Sequence, residues 1–108
     1  MTIPIITVAL ETPFAGDVKE NIDFARACMK DCLLRGEAPF ASHLLYTQVL
    51  DDTNSEERKL GMEMGKVIEA GLDKSVVYTD LGISEGMAWG IQKAKEAGRP
   101  VEYRTLKK

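Results

Sequence analysis

Histidine occurs once in this chain, at position 43, so no multi-histidine metal centre can be assembled and no metal is expected. Cysteine occurs twice. Cys28 and Cys32 stand about one helical turn apart on one face of a predicted helix, which excludes a disulfide framework and leaves them as small core residues. Cytoplasm is the expected compartment. Basic clusters are also missing: 14 Lys and Arg are outweighed by 17 Asp and Glu, for a net charge of −3. A phosphate-tracking nucleic-acid binder needs a basic face, so nucleic acid is not expected as a partner. No uncharged apolar run reaches the roughly 20 residues that span a bilayer, so no membrane partner is expected either. The apolar start, MTIPIITVAL, lacks a basic leader and reads as a strand, not a signal peptide.

What is present is the balance of an ordinary globular domain: 108 residues, 44% hydrophobic and 29% charged. One domain over residues 1–108 is expected, burying roughly 65% of the surface its unfolded chain exposes. Strand and helix signals alternate. Residues 3–10 form a mostly apolar run suited to a strand buried on both faces, with Pro4 near its start. Asp17 and Glu20 offer a capping box ahead of a helix whose stripe is Ile22, Ala25, Met29, Cys32 and Leu33, stopped by Gly36. A short strand over 38–42 and an irregular stretch over 43–54 follow. Ser55 caps a helix to Ala70, predicted to turn Leu60, Met64, Val67 and Ile68 inward. Residues 75–79 make a third strand, and Ser84 caps a third helix with Met87, Ile91 and Ala94 inside. Gly98 and Pro100 end that helix before a last strand at 101–104 and a fraying tail at 105–108. The β-α-β-α-β-α-β order predicts a three-layer, Rossmann-like or flavodoxin-like α/β fold: an open parallel sheet of about four strands with helices on both faces.

Ligands of such sheets bind beyond the carboxyl ends of the strands, which nominates the loops at 11–16, 42–52 and 80–86. In the first, Pro13 and Phe14 can wall a base or sugar while Thr12 and the Gly16 backbone supply hydrogen bonds. In the second, His43 is an acid/base or phosphate contact, or else a satisfied loop histidine. Arg58 beyond it neutralises a phosphate or pairs with Asp51, Asp52 or Glu57. In the third, Asp80 suits a ribose hydroxyl or a plain turn. Gly82, Ser84 and Gly86 shape a helix start whose free N–H groups can seat an anion. Glu85 in that first helical turn is the candidate catalytic acid, set against the ordinary reading of a first-turn carboxylate. Gly61 and Gly65 suggest a close helix contact, and Trp89 falls outside its helix's inner stripe, beneath a neighbouring subunit or over a ligand.

Taken in order and spacing, the motifs resemble the nucleoside 2-deoxyribosyltransferase-like superfamily, especially its small members common in phage and bacterial genomes. Its first strand ends in an Ala-Gly/Ser-Pro-Tyr/Phe turn, matched by Glu11-Thr-Pro-Phe14 and then Ala15-Gly16. Asn21 and Ala25 stand where the first helix carries Asn and Ala, and Ser42-His43 closes the second strand. An Asp/Ser-x-Gly-x-x-x-Glu helix start ending in Gly-Lys/Arg-Pro is matched by Ser84-Glu-Gly-Met-Ala-Trp-Gly90 and Gly98-Arg-Pro100. The resemblance implies a nucleoside or nucleotide ligand, no cofactor, assembly into a homo-oligomer, and cleavage or transfer at an N-glycosidic bond by a carboxylate nucleophile. That nucleophile's position is Gly90 here. Two further readings therefore stand beside the enzyme: a non-catalytic protein that senses or sequesters a nucleotide, and an oligomerising accessory protein.

Overall fold

The structure is a computed structural model and describes residues 4–107. Strand β1 (Ile6–Glu11) leads into helix α1 (Val18–Leu34), strand β2 (Glu37–Phe40), a short helix α2 (Ser42–Leu45) and a 3-10 turn (Tyr46–Gln48). Helix α3 (Ser55–Glu69), strand β3 (Lys74–Tyr78), helix α4 (Glu85–Glu96) and strand β4 (Val101–Arg104) complete the chain. All strand pairs are parallel, in the order β2-β1-β3-β4. The fold is the α/β sheet expected from the alternation. Residue 3, expected to open the first strand, lies outside the described residues.

The order of strands across the sheet reverses once: the path goes from β1 to one edge and then returns past β1 to the other. Right-handed crossovers then place α1 on one face and α3 and α4 on the other. Side-chain parity agrees. Val8, Leu10, Val76 and Tyr78 pack against Cys28 and Cys32 of α1, while Val77 packs against Met87 and Ile91 of α4. The chain turns back between β1 and β3, and a crevice at the carboxyl ends of those two strands is the consequence.

The helix ends follow the sequence closely. The Asp17 carboxylate accepts from the Glu20 N–H at 3.1 Å, and the Ser84 hydroxyl accepts from the Met87 N–H at 3.2 Å. At α3 the cap is Asn54, one residue before the expected Ser55, and it accepts from both Glu56 and Glu57. The inward stripe of α4 is as expected, and the cysteines are free and fully buried.

Helix α3 lies the other way round. Leu60, Met64, Val67 and Ile68 are exposed, whereas Gly65 and Glu69 are buried. The reason is steric. A Cβ at Gly65 would lie 2.7 Å from Cβ of Ser42, so only a glycine lets the two segments touch. Shape complementarity decides the inner face here, and hydrophobicity does not. Leu33 of α1, also expected inside, is exposed as well. Residues 105–107 do not fray: the N–H groups of Leu106 and Lys107 donate to the Asp80 carboxylate at 3.0 to 3.1 Å.

Candidate functional site

At the carboxyl ends of β1 and β3 lies a cleft of about 340 Å³, within the range of small-molecule sites. It is built from four segments. The turn after β1 contributes Glu11, Thr12, Phe14 and Ala15, α2 contributes Ser42 and His43, α3 contributes Met62 and Glu69, and α4 contributes Glu85, Gly86, Trp89 and Gly90. Outward, over Asp52, Arg58 and Trp89, it meets a second, more open depression of about 590 Å³.

The β1 turn is fixed from behind. Asn21 is buried, and its side-chain amide donates to the carbonyls of Phe14 and Ala15, each at 3.0 Å. That grip holds the Phe14 ring at the cleft wall. Thr12 Oγ1 and His43 Nε2 lie 2.6 Å apart, a hydrogen bond whose direction is set by the imidazole tautomer. Loss of water around the ring pulls the His43 pKa down to about 4, so it is neutral at physiological pH.

Glu11 is the last residue of β1. Its odd position points it away from α1 and toward α4, where it meets Gly90. A Cβ at position 90 would stand 2.7 Å from Glu11 Cδ and 2.8 Å from Oε1, so the missing side chain of Gly90 makes the room that the carboxyl occupies. No hydrogen bond or ion pair joins that half-buried carboxyl to another described side chain, and it lines the cleft. Burial raises its pKa well above the usual glutamate value; the neighbouring Glu69 raises it further, and Arg99 opposes both more weakly. Glu69 is itself shifted up by burial, but it is held. Arg99 Nη2 lies 3.6 Å from Glu69 Oε1, and the same guanidinium donates to the Glu69 carbonyl and to Ser75 Oγ, each at 3.0 Å.

At the rim, Ser84 uses its hydroxyl to cap α4, which leaves the N–H groups of Glu85 and Gly86 without helical partners. The Arg58 guanidinium crosses this helix start: a Cβ on Gly86 would lie 3.4 Å from its Nη2. Asp52 holds Arg58 loosely, at 3.9 Å. Trp89 is half-buried on the cleft side of α4, with Lys93 Nζ 5.7 Å from its ring centre.

Of the residues named from the sequence, Thr12, Phe14, His43, Ser84, Glu85 and Gly86 meet in one cleft. Pro13 is buried behind the turn, while Gly16 and Gly82 serve the loops with positive φ of 101° and 86°. Asp80 does not line the cleft; its carboxylate is taken up by the Leu106 and Lys107 N–H groups. Glu11 and Glu69 were missed. Parity along β1 could have found the first by pairing it with a glycine on the facing helix, and nothing in the pattern marked the second. Among the described residues, no group of three His, Cys, Asp or Glu side chains is placed to hold a metal ion, and no helix is long and apolar enough to cross a membrane.

Comparison with known proteins gives the fold a neighbour. A 2-deoxyribosyltransferase from the psychrotolerant bacterium Bacillus psychrosaccharolyticus, described as a biocatalyst for nucleoside synthesis, superposes with a TM-score of 0.65 at 17% identity, over 92% of this chain and 72% of that one. At that identity the likeness is one of fold. No curated protein matches by sequence. Residues 6–104, nearly the whole described chain, match the family characterised as a domain of unknown function, DUF7768, and the chain belongs to that family.

Proposed function

We propose that the cleft binds a nucleoside or nucleotide. The observation that carries this reading is the meeting of two aromatic walls, Phe14 and Trp89, with a polar floor of Thr12 and His43 at the switch point between β1 and β3. A base suits the aromatic walls, and a sugar suits the polar floor. Arg58 beside the free N–H groups of α4 forms an anion seat, which favours a 5′-phosphate. Glu85, exposed at the cleft rim, supports this reading as a carboxylate that can accept from a sugar hydroxyl.

Melting the protein with deoxynucleosides, their 5′-monophosphates and NAD tests the reading. Stabilisation is expected, larger for the phosphorylated ligands, and Arg58→Ala should remove the extra increment. A melting temperature unmoved by every ligand would sink it. The non-catalytic alternative draws on Gly90, which offers no reactive group, and release of free base separates the two.

The exposed stripe Leu60, Met64, Val67 and Ile68 on α3 supports association between copies of the chain. Light scattering that returned the monomer mass would overturn that part.

A further inference from the structure

Binding a nucleoside requires aromatic walls and a few hydrogen bonds; it does not require a desolvated carboxyl. Glu11 is such a group. It ends a central strand, lies over a helix position with no side chain, faces the cleft, and has no hydrogen-bond or ion-pair partner among the described residues. The charges around it do not make it a structural ion. Glu69 of α3 is of like sign, Arg99 beyond α4 is committed to Glu69 and Ser75, and His43 of α2 is bonded to Thr12 and neutral. Half-buried at the cleft wall beside a second acid, this carboxyl is shifted toward its protonated form, and a protonated carboxyl lining a ligand cleft is a proton donor. The packing gives it a dedicated place: the room that a side chain at position 90 of the helix would fill holds the carboxyl of the strand.

We propose that Glu11 is the catalytic acid of the cleft, donating its proton to the leaving base of a bound nucleoside or nucleotide while water takes the anomeric carbon. The proposal rests on the nucleoside-binding reading above. In the step, the bond from the anomeric carbon to the base nitrogen breaks and its electron pair leaves with the base. The Glu11 proton satisfies that nitrogen. The water oxygen bonds to the anomeric carbon and gives up a proton, which restores the Glu11 carboxyl. One water is consumed, and free base and free sugar, or sugar phosphate, are formed. Glu69, anchored by Arg99, acts as a positioning residue that keeps Glu11 protonated.

Two measurements on the full chain, with the common 2′-deoxynucleosides and their 5′-monophosphates as probes, test this. Thermal stabilisation reports binding, and chromatography of released base reports chemistry. For a probe that stabilises the protein, the native chain should release base, and Glu11→Gln should keep the stabilisation while release falls on the order of 100-fold or more. The native rate should also fall as pH rises through the Glu11 transition, since the acid form is the active one. Binding without base release would overturn the proposal and leave the binding reading intact. So would full release by folded Glu11→Gln, or a sugar covalently held on Glu11 in the mass spectrum. Should Glu11→Gln fail to fold, a native rate that shows no fall on the alkaline side anywhere in the range where the chain stays folded would overturn it alone. No stabilisation by any probe would remove the binding reading and this one with it.

Discussion

On the α1 face of the sheet, Arg104 of β4 makes a two-point pair with Glu37 of β2, a further bond to Glu102, and donates to the Tyr78 hydroxyl at 3.3 Å. Lys74 donates to Glu102 at 2.6 Å and forms an ion pair with Glu37 at 3.7 Å, and Tyr78 donates to Asp31 at 2.6 Å. Bonds to Arg104 pull Glu37 below its usual range and, with Lys74, take Glu102 to about 2. The α4 face treats its buried ionisable groups in the opposite way. Glu11 and Glu69 are pushed toward their protonated forms and His43 toward its neutral form, all chiefly by loss of water. The same sheet therefore separates two uses of a buried acid. Matched with a cation, it is a strut; left beside another acid at a cleft, it is shifted toward its protonated form.

The comparison can be broken most forcefully on the matched side. Arg104→Ala leaves the buried Glu37 without its principal counter-ion, while the more exposed Glu102 keeps Lys74 and water, and a loss of about 3 kcal/mol is expected. Urea unfolding measures it. Ligand stabilisation of the remaining folded protein should persist, because no residue of that network lines the cleft. An Arg104→Ala chain as stable as the native one would mean that the network is solvated and holds nothing.

The unmatched side is tested by exchange. Gly90→Glu alone drives a side chain into the space of the Glu11 carboxyl and is expected to cost about 3 kcal/mol by overpacking. Adding Glu11→Ala frees that space, so the double variant should recover most of the loss, a coupling of about 2 kcal/mol between the two positions. Melting temperatures of both single variants and the double supply the cycle. Simple additivity would show that the two residues do not share a volume.

How far the sequence reached follows from the same contrast. The alternation of strands and helices, the caps Asp17 and Ser84 and the inner stripe of α4 were legible because they depend on local chemistry, such as Ser84 before a helix or the apolar run around Val76. The cleft's outline was legible from topology, since the strand ends had to converge. The wrong face of α3 came from reading apolar residues as inward; Gly65 against Ser42 is a contact that no periodicity encodes. Turning the helix over also hid Glu69, the one buried acid on its true inner face. Asp80 looked like a ligand group because its partners, the Leu106 and Lys107 amides, belong to a tail expected to fray. Glu11 was read as the first residue of a loop, although it is the last of a strand, and only strand parity makes it face Gly90.

A last effect sharpens the comparison within the cleft itself, through pH. His43 sits near 4 in the folded chain against its ordinary 6.5, so an unfolded ring takes up a proton where the folded one does not. Its contribution to stability is complete above about pH 6.5 and is lost as pH falls toward about 4, a change of up to about 3 kcal/mol. Glu11 and Glu69 have the opposite sign. Their folded values lie above the ordinary 4.5, so the unfolded carboxyls ionise first, and stability falls as pH rises from about 4.5 through the folded values. His43→Gln should therefore flatten the acid limb of a stability-against-pH curve, and Glu11→Gln should flatten the limb above it. Slopes, not absolute values, are the quantity to compare, since His43→Gln also alters the bond to Thr12. Glu11→Gln should gain on the native chain as pH rises, because an amide has no proton to surrender. Curves that stayed parallel would mean that the Glu11 carboxyl ionises as freely folded as unfolded, and the two faces of the sheet would then no longer differ in how they bury an acid.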